Sequence, residues 1–336
     1  MSETATLQRQ SSDPERSIKV RHPDFDAMLD GLGRSFTAED DVISAHLLAV
    51  LSGLFPDGEE MFIEAVRHYR DQITDPDLAK QVNGFIGQEV THGRQHRRLN
   101  DRFAELGYRS KIVEETMQTD EHSLTPGMRR VIWLVSRVGP LRGLSERLDE
   151  RRAHGPDPLF HLALTAALEH YTATMAELLL TSTDLQALFA DDALFRLWAW
   201  HAIEESEHRA VAFDVYKAIG GDEETRARAM RLSGLALVFI SSWHTLAGVV
   251  RDRRSWRNFG LAKSLWRNRT NPLLSKRFRR SLAEYYRADF HPLDRDTSAL
   301  EDAWRDWLDG DGSRPAFDER GWSDADSIKM IAAEPW

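Results

Sequence analysis

No cysteine occurs anywhere in the 336 residues, so disulfides and thiolate metal sites are excluded, and any bound metal must be held by carboxylate and imidazole. Alternating apolar and polar positions of the kind that mark strands are missing too. Helical periodicity runs through the chain instead, and the fold class it implies is all-α. Positive charge is not in excess: 44 Lys and Arg face 54 Asp and Glu, a net charge of -10, which argues against nucleic acid as a partner. Met1 to Ser17 lacks the apolar stretch of a secretory leader, and residues 1–20 are expected to be a disordered lead of a cytoplasmic protein.

Only one long stretch lacks charge. Leu232 to Val250 runs 19 residues without Lys, Arg, Asp or Glu, between Arg226, Arg228 and Arg231 on one side and Arg251, Arg253 and Arg254 on the other. The length just reaches that of a membrane span. His244, three serines, a threonine and two glycines dilute it, and basic residues at both ends give no orienting asymmetry. The expectation is a helix buried against the bundle, able to wall an apolar substrate channel. Peripheral membrane contact through 232–250 is the alternative, and a homodimer is also allowed.

Helices are expected at about 39–53, 58–73, 76–106, 125–150, 157–182, 191–219 and 223–251, with shorter ones near 256–269, 275–288 and 297–308. The breaks between them fall at Pro56-Asp57-Gly58, Asp75-Pro76, Gly155-Pro156-Asp157-Pro158 and Gly220-Gly221-Asp222. Beyond Asp309 the glycines and Pro315 read as extended chain.

Within this helical pattern stand two Glu-x-x-His pairs, Glu89/His92 and Glu205/His208, each setting a carboxylate and an imidazole on one helix face. With 24 Glu and 13 His in 336 residues, about one such pair arises by chance, so context decides. The first pair interrupts an apolar stripe: Val82, Phe85 and Ile86 precede Glu89, His92 and His96, and Leu99 and Phe103 follow. The second lies between Leu197 and Trp198 before and Ala212 and Val215 after, on the face that also carries His201. Carboxylates turned toward a core need a counter-charge, and a cation cluster is the simplest one.

A two-metal site between four helices needs two further carboxylates. Glu59 shares a face with Phe62, Ile63 and Val66, whereas Glu60 lines up with Glu64, Arg67 and Asp71, so Glu59 is the buried candidate. Glu169 lies among small residues, with Glu177 two turns on as the fallback and His170 beside it as a structural residue.

The order Glu, Glu-x-x-His, Glu, Glu-x-x-His resembles the ferritin-like di-iron carboxylate superfamily. The stretches FPDGEEMF, FIGQEVTHGRQH, ALEHYTA and WAWHAIEESEHRAVAFDVY are similar to the bacterial family labelled predicted metal-dependent hydrolase, over about residues 20–290. The resemblance implies a ferritin-like four-helix bundle with additional C-terminal helices: a metal-binding domain over 21–290 and a C-terminal extension over 291–336. It implies Glu59, Glu89, His92, Glu169, Glu205 and His208 as ligands of two iron ions, with manganese as the substitute. A similar extra histidine in N-oxygenases of the p-aminobenzoate oxygenase type makes His201 a seventh ligand by the same resemblance. Outer partners are expected as in related di-iron proteins, with Glu204 reaching His92 and Gln88 reaching His208. His96 is expected just outside the ligands, and Glu204 and His96 are the residues assigned catalytic support.

Three functional classes share this ligand set. An oxygenase or oxidase would take O2, an electron donor and a small apolar or amine-bearing substrate; a hydrolase would use metal-activated water; a ferroxidase or iron store would need no organic substrate. Apolar neighbours such as Phe62, Phe85, Trp198 and Val211 suggest a dry site. O2-dependent oxidation is therefore the expected function and hydrolysis the alternative.

Overall fold

Aspartate side chains start five of the long helices. The computed structural model describes residues 18–112, 157–310 and 314–317, and among these there is no strand. Asp41 accepts from the backbone N–H groups of Ile43 and Ser44 to open α1 (Val42–Tyr69), and Asp75 opens α2 (Pro76–Glu105) in the same way. Asp157, Asp191 and Asp222 do so for α3 (Pro158–Thr181), α4 (Asp192–His208) and, beyond α5 (Val211–Ala218), α6 (Glu223–Arg251). Proline at the first position of α2 and α3 gives up an N–H that would have no helical partner anyway. Shorter helices follow, among them α7 (Gly260–Asn268), α8 (Lys276–Glu284) and α9 (Ser298–Asp309).

The expected break at Pro56 is absent, because α1 runs straight through it. A proline inside a helix leaves the carbonyl four residues earlier without its donor. Here that carbonyl, Ser52 O, accepts from the Asn100 side chain on α2 at 3.0 Å. Conversely, the single helix expected over 191–219 is two, divided at Arg209-Ala210 directly after His208. The Arg209 guanidinium donates to the Ser206 carbonyl at 2.7 Å, satisfying a group that the interruption would strand. Helix 125–150 lies outside the described residues, as does most of the tail beyond Asp309.

Helices α1 to α4 form the bundle, with two apolar layers. One holds Leu99, Phe103, Trp198, Trp200 and Trp304; the other holds Phe62, Val82, Phe85, Leu162 and Val211. Between them α2 turns Glu89, His92 and His96 inward, and α4 turns His201, Glu205 and His208 inward. The polar groups thus occupy the middle of the bundle.

Two further segments differ from the sequence reading. Residues 18–20, assigned to a disordered lead, lie against α2, where a Cβ on Gly84 or Gly87 would collide with Ile18 or Val20. Helix α6 covers α1 and α3 but seats its small and polar stripe, including Ser233, Gly234, His244 and Gly248, rather than its apolar one. Tyr171 lies over Gly234 and His46 over Gly248, so this close approach leaves room for no side chain.

Candidate metal centre

Each bundle helix contributes to the buried cluster: Glu59 from α1, Glu89 and His92 from α2, Glu169 from α3, and His201, Glu205 and His208 from α4. None is more than 4% exposed. Three overlapping groups, Glu59/His92/His201, Glu89/His92/Glu205 and Glu89/Glu169/His208, each bring ligand atoms within 4.8 Å of one another and could hold a metal ion. His208 Nε2 lies 3.1 Å from Glu89, 3.4 Å from Glu169 and 3.7 Å from Glu205. His201 Nε2 lies 2.8 Å from Glu205 and 3.8 Å from Glu59. His92 Nδ1 lies 3.6 Å from Glu205 and 3.8 Å from Glu89. Glu89 and Glu205 therefore stand between two halves of one cluster. Glu59 fits closely because residue 93 is glycine: a Cβ there would press on Glu59 Oε2 at 3.0 Å.

The outer hydrogen bonds fix which nitrogen of each imidazole faces inward. His92 Nε2 meets Glu204 at 3.0 Å; a carboxylate only accepts, so this nitrogen carries a proton and Nδ1 is the one turned toward Glu89 and Glu205. His208 Nδ1 donates to Gln88 Oε1 at 2.9 Å, an oxygen identified by Gln88 Nε2 donating to Glu207 and to the Lys19 carbonyl. His208 Nε2 is thus the nitrogen that faces the carboxylates. For His201 the chain is longer. Asn100 Nδ2 donates to Ser52 O, so Asn100 Oδ1 accepts from the Ser52 hydroxyl at 2.7 Å. Ser52 Oγ then accepts from His96 Nδ1 at 2.9 Å, and His96 Nε2 accepts from His201 Nδ1 at 2.6 Å. His201 Nε2 is thereby the nitrogen aimed inward, 2.8 Å from Glu205 and toward Glu59.

Both oxygens of Glu59, Glu89 and Glu169, one of Glu205, His92 Nδ1 and His208 Nε2 are buried without a hydrogen-bond partner among the described residues. Orphaned groups of this kind each cost several kcal/mol unless something satisfies them. Cations fit the whole set. Electrostatics point the same way: burial first, and then Glu89 for Glu59 and Glu205 for Glu169, push these two carboxyls well above the usual range. Burial opposes the charge of Glu205 as well, yet His208 and His201 hold it well below. Burial likewise opposes charging His92, but Glu204 and Glu89 raise it to about 10. Protons alone thus balance a cluster whose donor atoms suit metal ions better.

Sequence reasoning missed the residue that ties the outer groups together. Arg21 donates to Glu204 at 3.1 Å and doubly to Glu207 at 2.9 and 2.7 Å, and so reaches His92 through Glu204 and His208 through Glu207 and Gln88. No periodicity could flag Arg21, because it sits outside any helix. Glu177, the fallback, pairs instead with Arg295 at 2.9 Å. His170 is structural, with Nε2 bonded to the Ser281 carbonyl at 3.2 Å.

Two openings approach the cluster. An apolar cavity lined by Leu48, Leu51, Phe55, Met175, Leu179 and Trp198 ends at His201 and Glu205. On another side a polar cleft containing Glu60, Glu64, Arg67 and Arg97 reaches Glu59 and Glu89. The site is therefore not dry on every side, which weakens the sequence argument against hydrolysis. The family described as Predicted metal-dependent hydrolase matches residues 19–296. No curated protein and no solved structure matches.

Proposed function

The chain belongs to the family of predicted metal-dependent hydrolases, and from that premise we propose a two-metal hydrolase that cleaves an ester or amide carrying an apolar acyl group. The two-sided access carries this reading: an apolar cavity for the acyl chain ends on one side of the cluster, and a polar cleft able to admit water and cations ends on another. Four carboxylates and three imidazoles without thiolate suit iron or manganese, and the ferritin-like resemblance favours iron. Two such ions would polarise the carbonyl and make water nucleophilic at neutral pH. The protein's own part is positional. Glu204, Gln88 and His96 hold the three imidazoles in one orientation, and Phe55, Phe85 and Trp200 wall His201, His208 and His92 at ring separations of 4.6, 4.9 and 5.0 Å.

O2-dependent oxidation is the second reading, supported by His201, a third imidazole in an otherwise carboxylate-rich set at the end of the apolar cavity. The deciding experiment follows metal-loaded protein on aryl esters of increasing acyl length, without air or reductant. Hydrolysis should proceed and improve as the chain lengthens. No cleavage of any ester, together with O2 uptake when reductant and an apolar substrate are supplied, would replace hydrolysis by oxidation.

A further inference from the structure

Apolar exposure is concentrated in one segment of the chain. Of the 15 large apolar side chains exposed among the described residues, 12 lie between Leu232 and Leu274. On α6 they form a single stripe, with Leu235 71%, Phe239 69%, Trp243 58% and Leu246 59% exposed. The chain after α6 adds Trp256, Phe259, Trp266 and Leu274, each at least 64% exposed. Phe259 is 81% exposed, and it and Asn258 have left-handed backbone, φ 59 and 50, which is uncommon for residues with a side chain.

The same region is strongly basic. From Thr225 to Ala283 there are 14 Lys or Arg and a single acid, Asp252, a local charge of +13 in a chain whose net charge is -10. Arg253, Arg257, Lys263, Lys276, Arg279 and Arg280 are exposed and make no ion pair among the described residues. At the end of α6 a cleft is lined by Arg34, Arg109, Arg251, Arg253, Arg254 and Arg257. Aromatic and aliphatic side chains interleaved with arginines suit the headgroup level of an anionic bilayer, where rings enter the interface and guanidiniums meet phosphates. A second copy is a poorer occupant, because a twofold contact would set two such positive faces against each other. A true span is a poorer reading, because α6 lies along α1 and α3 with Ser241, His244 and Thr245 turned inward.

Continuity with the cavity gives the face a purpose. Asn271 and Leu273, three and one residues before exposed Leu274, line the apolar cavity that ends at His201 and Glu205. We propose that the face from Leu232 to Arg280 docks on an anionic lipid bilayer and that an acyl substrate passes from the bilayer into this cavity beside Leu273. Docking stands by itself; the transfer rests on the hydrolase reading.

Full-length, metal-loaded protein sedimented with vesicles tests it, using phosphatidylcholine alone against phosphatidylcholine mixed with phosphatidylglycerol. The protein should pellet with the mixed vesicles, remain in solution with the neutral ones, and dissociate as salt rises. Phe239→Glu with Trp243→Glu should weaken sedimentation at least tenfold, and Arg253→Gln and Arg257→Gln about fivefold each. Both sets should keep wild-type helicity, metal content and turnover of a water-soluble ester. Wild-type protein that ignores both vesicle types overturns the docking. So does a dimer that Trp243→Glu splits, which would give the face to a second copy. Sedimentation with no ester cleavage would leave docking intact and remove the hydrolase reading alone.

Discussion

Glu204 grips His92 with one oxygen and Arg21 with the other, so a single substitution tests whether the outer shell matters. Glu204→Gln keeps the shape but removes the charge that orients the ring; metal affinity should drop about 10- to 100-fold with the fold intact. Titrating a metal-sensitive chromophore against both proteins reads this directly, and equal affinities would make Glu204 a bystander. A second residue, Asp252, is expected to contribute to acid stability. Burial works against the Asp252 charge, but Arg254, through its side chain and backbone N–H, and Arg34 outweigh that and hold the carboxyl at about 2. A depressed carboxyl stabilises the fold above its ordinary titration range and loses that contribution as pH falls toward about 2. Urea midpoints measured from neutral pH downward should show an acid limb in the wild type that Asp252→Asn flattens while lowering the neutral plateau. Parallel curves would show that the Asp252 pairs are not coupled to folding.

At the scale of elements, the proline in α1 has consequences at the cluster. Pro56 frees the Ser52 carbonyl, Asn100 satisfies it, and the resulting orientation runs through Ser52 and His96 to His201. Asn100→Leu strands a buried carbonyl, so the protein should lose about 1–3 kcal/mol in chemical denaturation. It should also bind metal less tightly at the His201 side. A stability loss with unchanged metal affinity would sever this chain from the centre. The extended arm is likewise testable: Gly87→Val would push Val20, and with it Arg21, off α2. Metal affinity should fall as it does in Glu204→Gln. This is where the sequence was least legible. Helix starts at Asp75, Asp157 and Asp222 announce themselves by capping chemistry, but a helix running through Pro56 depends on a donor 44 residues away, and no local pattern carries that. The inverted seating of α6 is similar, because its apolar stripe looks like a core stripe until Tyr171 and His46 are found to need the glycine side.

For the molecule as a whole, the sequence already showed where ligand types interrupt the apolar stripes, since burial and helical period alone bring Glu89, His92, Glu205 and His208 to one level. Arg21 and Glu207 were invisible because they act through contacts across the fold. The assembled centre places four carboxylates and three imidazoles between two apolar layers, with one nitrogen of each imidazole turned inward and most carboxylate oxygens unpartnered. Such a core is costly without cations, so removing metal with a chelator should lower the melting temperature markedly, and restoring iron should return it. The most direct test counts metal. Protein reconstituted with ferrous iron under anaerobic conditions and analysed by mass spectrometry should hold two ions per chain, and Glu89→Ala or Glu205→Ala should lose at least one. A single zinc that resists exchange, or a chain that retains no metal, would contradict a two-metal centre.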